Sequence, residues 1–209
     1  MSKGLFISFE GIDGAGKTTQ INMLKAHLEG LGYTVTITRE PGGSELCNKI
    51  RNILLDKDNT ELCSMAELLL YYADRAQHIN EVIAPKIQNG ECVICDRYYD
   101  SSYAYQLAGR RISEDVLDQL NDLVVKDAHP DMTFLLDLTL DVSLQRVSGR
   151  GEADRLELEG LAFKQRVRDG FLAQAEKHPD RICVVDASKS PEGIFNDILW
   201  HLEQRGIKA

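Results

Sequence analysis

Residues 6–20 read FISFEGIDGAGKTTQ, an apolar run followed at once by three glycines, a lysine and two threonines. Leu5, Phe6, Ile7 and Phe9 cluster tightly enough to predict a short buried strand over Gly4–Phe9. From Lys17 the pattern changes: Ile21, Leu24 and Leu28 recur at helical spacing. Between strand and helix, Gly11 to Thr18 fits G-x-x-x-x-G-K-(S/T). In that context the glycines let successive backbone N–H groups curl around an anion, and the helix N-terminus adds its partial positive charge. An ordinary glycine-rich turn would join the two elements without needing the whole pattern. Gly11, Ile12, Asp13, Gly14, Ala15, Gly16, Lys17, Thr18 and Thr19 are therefore the candidate cradle for a nucleoside triphosphate. Lys17 is suited to the outer phosphates and the Thr18 hydroxyl to Mg²⁺.

The rest of the chain narrows the class. Its 209 residues suffice for one domain with its own core, expected to span 1–209. No apolar run approaches the roughly 20 residues that span a bilayer, and the early strand leaves no room for a signal peptide. Membrane association is not expected. The five cysteines at 47, 63, 92, 95 and 183 read as thiols in a reducing cytoplasm, and Cys92-Val-Ile-Cys95 has no second pair. A net charge of −9 argues against broad nucleic-acid binding, while local arginines still suffice for one nucleotide. The five histidines lack metal-ligand spacing and read as surface or structural residues.

Strand and helix patterns alternate along the chain. Strands are expected at 33–39, 91–96, 133–138 and 182–186, with helices near 44–56, 62–88, 99–108, 113–126, 141–148, 158–177 and 190–204. The expected fold is α/β: a parallel sheet with helices on both faces, and with all strand C-terminal ends on one side. The P-loop, REPGGS (39–44), DRYYDSS (96–102) and DLTLD (137–141) should then surround one crevice. The guanine-reading N-K-x-D of GTPases is absent. Asp96, at a strand end, is placed to hold Mg²⁺ directly or through water, and Arg97 to bind an acceptor phosphate.

FEGIDGAGKTTQ, TREPGGS, YYADRAQH, DRYYDSSYAYQ and RGEADRLE run in order over most of the chain and together resemble the bacterial thymidylate kinases. The resemblance implies a three-layer P-loop fold with a five-stranded parallel core, a homodimer, Mg-ATP as donor and dTMP as acceptor. It further implies that Asp13 faces the acceptor's sugar and phosphate, with Glu40 and Pro41 on the sugar side. Arg51 and Arg97 would clamp the acceptor phosphate, using the bidentate geometry of arginine. Tyr71 would stack on the base and Arg75, four residues on along the same helix face, would donate to a base carbonyl. Ser101, Ser102 and Gln106 would lie against the acceptor, and Ser102 and Gln106 would read base edges. Tyr105 would crowd the sugar 2′ position and favour deoxyribose. From the residues alone, Asp13 reads as a binding residue more readily than a solvated one, Arg51 fits a solvated helix position equally well, and Tyr71 fits a core position better. The family often has Phe at the position of Tyr71, and Thr at those of Ser44 and Ser102.

A phosphate acceptor needs no general base, because its second pKa lies near ~6. Positioning and charge neutralisation then carry the reaction. The P-loop itself carries no arginine, so the compensating cations are sought in residues 145–157, QRVSGRGEADRLE. Arg150 and Arg155 are the candidate catalytic cations beside Lys17 and Arg97, on a lid at about 147–158, and Arg146 is placed to stack on adenine. Two other classes fit parts of the pattern. A nucleoside kinase would need Glu40 or Asp13 as a base, and a nucleotide-binding regulator would not need the additional arginines.

Overall fold

The computed structural model describes residues 4–148 and 154–207. Strands β1 (Leu5–Glu10), β2 (Val35–Arg39), β3 (Cys92–Asp96), β4 (Met132–Asp137) and β5 (Ile182–Asp186) form one parallel sheet in the order β2-β3-β1-β4-β5. The period-two alternation of each strand assigns its residues to two cores. Ile7, Phe9, Cys92 and Ile94 face one, with Leu24, Leu28 and Ile198 from α1 (Lys17–Gly30) and α9 (Pro191–Gln204). Phe6, Val93 and Cys95 face the other, against Leu68 and Tyr72 of α3 (Ser64–His78) and Leu117 of α6 (Glu114–Val124). Helices on both faces of a parallel sheet are the expected α/β arrangement. β1 lies between β3 and β4, so its C-terminal end opens at the point where the strand order reverses. The register sets Arg39, Asp96 and Phe9 side by side there.

The remaining helices match their expected positions closely. α2 (Glu45–Leu55) is capped by Ser44, whose hydroxyl accepts from the Cys47 N–H, and α9 by Ser190, which accepts from Gly193. α7 (Leu140–Val147) and α8 (Leu161–Lys177) flank residues 149–153, so Arg150 lies outside the described residues. Among the described residues, no helix is long and apolar enough to cross a membrane.

Two expected helices have a different inner geometry. The run expected at 62–88 is α3, a π-helical turn at Ile79–Ile83, and α4 (Ala84–Gln88). Pro85 has no N–H and crowds the carbonyl four residues earlier, and a wider turn just before it relieves both problems. The run expected at 99–108 starts as α5 (Tyr99–Ser102) and turns π-helical over Tyr103–Gly109. That segment packs on α8 through small residues. A Cβ on Gly170 would stand 2.7 Å from the Cβ of Ala108 and 3.0 Å from the Cα of Ala104.

Gly170→Ala therefore sets two effects against each other. Alanine is favoured over glycine inside a helix by about 1 kcal/mol, yet neither neighbouring atom sits on a flexible side chain. Overpacking costs about 1–3 kcal/mol, so the substitution is expected to destabilise. A urea unfolding midpoint at or above the parent's would contradict this packing argument.

Candidate active site

The P-loop is held by backbone shape before any charge is considered. Gly11, Gly14 and Gly16 have φ of 132°, 80° and 91°, values that side chains disfavour. A Cβ on Gly11 would approach the Leu136 carbonyl oxygen to 2.4 Å. Gly16 caps α1 with no side-chain bond, which leaves the first helical N–H groups to an anion. Lys17 is buried and donates to the carbonyls of Gly11 (3.0 Å) and Ile12 (3.4 Å). Burial, then the Arg97 charge, lowers its pKa. On the outer side, Ser143 donates to the Asp13 carbonyl at 2.6 Å. Arg146 donates to the carbonyls of Gly14 (3.3 Å) and Ala187 (3.0 Å).

Arg97 follows Asp96 directly at the end of β3 and takes a left-handed φ of 69°. Such a conformation is uncommon for a residue with a side chain and clusters at functional sites. It turns the guanidinium over the loop, where it donates to the Gly11 carbonyl (2.9 Å) and to Asp13 Oδ1 (2.8 Å). Burial works against ionisation of Asp13, but Arg97 and Lys17 outweigh it and hold the carboxyl below its usual range. The same guanidinium lies 5.3 Å from the Tyr105 ring centroid.

Across a crevice of about 300 Å³ stands a second group of residues. Arg75 is almost fully buried and donates from Nε to Glu40 Oε2 (2.8 Å) and from Nη1 to the Ser102 hydroxyl (3.2 Å). Its planar face lies 4.7 Å from the Tyr72 ring centroid. Glu40 Oε1 is 2.9 Å from His78 Nδ1, and His78 Nε2 is 2.6 Å from the Thr38 hydroxyl. Both carboxylate oxygens of Glu40 are thus engaged with protein groups. Arg51 donates to the Pro41 carbonyl at 2.8 Å, after a cis Glu40–Pro41 peptide. Asp74, one residue before Arg75, is buried and accepts the Gly42 N–H at 3.0 and 3.2 Å.

The structure brings most of the expected residues together. Asp13, Gly14, Gly16, Lys17, Thr18, Thr19 and Asp96 line one end of the crevice, and Glu40, Pro41, Arg51, Tyr71, Arg75, Ser102 and Gln106 the other. Arg97, Ser101 and Tyr105 lie on the same wall system. Arg155 departs from its expected place. Its neighbours Asp154, Leu156 and Glu157 line the crevice, while its guanidinium is 2.6 Å from Glu67 Oε2 and its Nε donates to the Leu54 carbonyl at 3.0 Å. In this structure its charge is paired with the buried carboxylate of Glu67. Glu10, Glu67, Asp74 and the partners of His78 were not singled out from sequence. Glu67, Tyr71, Asp74 and His78 recur at spacings of three and four, so a single helical face could have flagged them. Glu10 accepts from the Tyr98 N–H (2.7 Å) and the Ser101 hydroxyl (2.6 Å), contacts across some ninety residues that no local pattern announces.

A glycine-curled phosphate loop at the switch point of a parallel sheet, facing an arginine-lined end of the same crevice, defines a P-loop protein of the nucleotide kinase class. A family profile described as Thymidylate kinase matches residues 9–198. A thymidylate kinase of Pelobacter propionicus is 47% identical, over 98% of this chain and 96% of that one. One from Deinococcus radiodurans is 46% identical, over 99% and 100%. The crystal structure of a thymidylate kinase from Ehrlichia chaffeensis superposes with a TM-score of 0.78 at 37% identity, covering 96% of this chain and 99% of that one. The chain belongs to the thymidylate kinase family.

Burial, reinforced by the nearby charge of Glu40, raises the Asp74 pKa from 3.8 to about 7. A carboxyl whose folded pKa exceeds its unfolded value binds its proton more tightly when folded, so its contribution to stability falls as pH rises between those two values. Asp74→Asn keeps one acceptor for Gly42 and removes the titration. The variant's stability relative to the parent is expected to rise from pH 4 to pH 8 in urea unfolding; a constant difference would show that Asp74 does not titrate there.

Proposed function

We propose that this chain transfers the γ-phosphoryl group of ATP to dTMP, giving ADP and dTDP. The observation that carries this reading is the two-ended crevice: a triphosphate loop at one end, and at the other an aromatic ring, a guanidinium and an amide within reach of one small base. Family membership supports the same acceptor. A nucleoside acceptor would need a free carboxylate base. Glu40 is bonded to Arg75 and His78, and Asp13 to Arg97. A monophosphate is already ionised at neutral pH and needs none.

In this reading Lys17 meets the outer phosphates of the donor, and Arg51 and Arg97 meet the acceptor phosphate. Tyr71 covers the base, Arg75 donates to a carbonyl, and Tyr105 stands at the 2′ edge. Ser101, Ser102 and Gln106 complete the acceptor wall, and Arg146 borders the adenine. Asp96 Oδ1 is buried without a hydrogen-bond partner among the described residues, an acceptor that suits a hard, oxygen-seeking cation. Thr18 and Asp96 would hold Mg²⁺, which neutralises phosphate charge when bound. We further propose one catalytic domain working in the cytoplasm, a lid over about 147–158 with Arg150 as its transition-state cation, and a homodimer. The exposed Leu46 and Ile53 on α2, and Met65 and Leu69 on α3, form paired apolar faces suited to a second copy.

Lys17→Ala is expected to fold and to lose turnover by at least about 10²-fold, the effect of removing one preorganised donor to transition-state charge. Arg150→Ala should lower kcat more than it raises the KM for ATP. An effect confined to KM would reassign Arg150 to ground-state binding.

Acceptor choice tests the assignment itself. The expected order of kcat/KM is dTMP, dUMP, UMP, with dCMP and purine monophosphates far behind. One missing methyl costs about 1–3 kcal/mol, whereas an unpaired base edge costs more. Arg75→Ala should remove most pyrimidine activity, and Tyr105→Ala should narrow the gap between dUMP and UMP. A parent that prefers CMP, UMP or thymidine overturns the dTMP reading.

A further inference from the structure

Glu67 lies on α3 one turn before Tyr71 and two turns before Arg75, with no solvent exposure. Its Oε1 accepts from Gln106 Nε2 at 2.9 Å and from Arg110 Nε at 3.3 Å. Its Oε2 accepts from Arg110 Nη2 at 3.2 Å and stands 2.6 Å from Arg155 Nη2. Burial favours the neutral acid, but the Gln106 bond and the two guanidinium groups outweigh it and hold the carboxyl below its ordinary range. Glu67 is therefore ionised at neutral pH, and an ionised carboxylate only accepts hydrogen bonds.

That fact settles a choice which a glutamine cannot make alone. An amide has a donating and an accepting end of nearly equal shape. Beside Glu67, Gln106 must turn its NH₂ to the carboxylate, and its carbonyl oxygen then points the other way. Gln106 lines the crevice, and its Oε1 has no protein partner among the described residues. Ser102, one turn earlier in the chain, accepts from Arg75. The same wall thus offers a fixed donor from Arg75 and a fixed acceptor from Gln106.

We propose that Glu67 is a positioning residue: by pinning the NH₂ of Gln106 it fixes an acceptor at the base edge, and so selects a pyrimidine carrying N–H beside a carbonyl. Thymine and uracil match that donor and acceptor pair. Cytosine presents an unprotonated ring nitrogen to the acceptor and an amino group to the donor, and is mismatched at both. The inference rests on the pyrimidine monophosphate reading above.

The test compares kcat/KM for dTMP, dUMP and dCMP in the parent, Glu67→Gln, Glu67→Asp and Arg110→Met, with Mg-ATP saturating. Glu67→Gln offers Gln106 an amide that is itself free to turn. Glu67→Asp keeps the charge for both arginines and withdraws it from Gln106 by one methylene, so it remains informative where Glu67→Gln does not fold. Arg110→Met disturbs the same cluster but leaves the Glu67–Gln106 bond. Both Glu67 variants are expected to raise the KM for dTMP more than they lower kcat. They should also narrow the dTMP-to-dCMP ratio by about tenfold, the scale of one hydrogen bond. Arg110→Met should leave that ratio at the parent value. An equal fall for all three acceptors in the Glu67 variants, or an equal narrowing in Arg110→Met, would make Glu67 a structural residue only and overturn the proposal. A parent with no preference for dTMP over dCMP would instead overturn the underlying functional reading.

Discussion

Arg75 and Glu40 meet at 2.8 Å with almost no access to water, and the acceptor half of the crevice is arranged around that contact. A buried guanidinium persists only when its charge is matched and its N–H groups are bonded. Glu40 meets the first requirement, and Ser102 and the faces of Tyr72 and Tyr98 help with the second. Removing one member of such a pair typically costs about 3–5 kcal/mol, because the other is left uncompensated. The pair also ties the end of β2 to the last turn of α3, and His78 and Thr38 extend the tie to a second point on each. A guanidinium held this way is oriented before any ligand arrives, which limits the entropy lost on binding.

The donor half solves a related problem with backbone atoms. Lys17 and Arg97 carry two positive charges into a small volume and place them on the carbonyls of Gly11 and Ile12 and the carboxylate of Asp13. The carbonyl partners of Lys17 are neutral and weaker than an anionic oxygen, so Lys17 can exchange them for a phosphate without rebuilding the loop. The left-handed Arg97 is the strained link between the halves. Its N–H is bonded to the Phe9 carbonyl, and Glu10 holds the next N–H, at Tyr98. The strand end is thereby fixed on both sides of the residue whose guanidinium covers the phosphate loop.

Of the two π-helical segments, one places a wall of the crevice. The one at Tyr103–Gly109 carries Tyr105 and Gln106, and α8 can lie close against it because Gly170 has no side chain there. Tyr105 is backed by Phe163 and Phe171 at centroid distances of 6.3 and 6.0 Å. A ring packed this way resists displacement by an extra ligand hydroxyl. π-turns recur at functional sites because they shift side chains off the regular helical stripe.

Local pattern was enough for the phosphate loop, the five strands and most helix limits, since glycine positions, alternation and helical spacing act within a few residues. The Tyr71–Arg75 face was legible for the same reason, and the family resemblance supplied its role. The partners of the buried charges were not legible. Glu67 with Gln106, Glu10 with Ser101 and Arg155 with Glu67 lie far apart in the chain, and an isolated acidic residue on a helix reads as solvated. Arg155 shows the difference most clearly: by sequence it is one more cation of a glycine-bearing loop, whereas the fold delivers a buried carboxylate that claims it. Which residues could make a phosphate site was written in the chain. Which charges remain free to serve it was decided by tertiary structure, because each buried charge must find a partner and only packing determines which one is near.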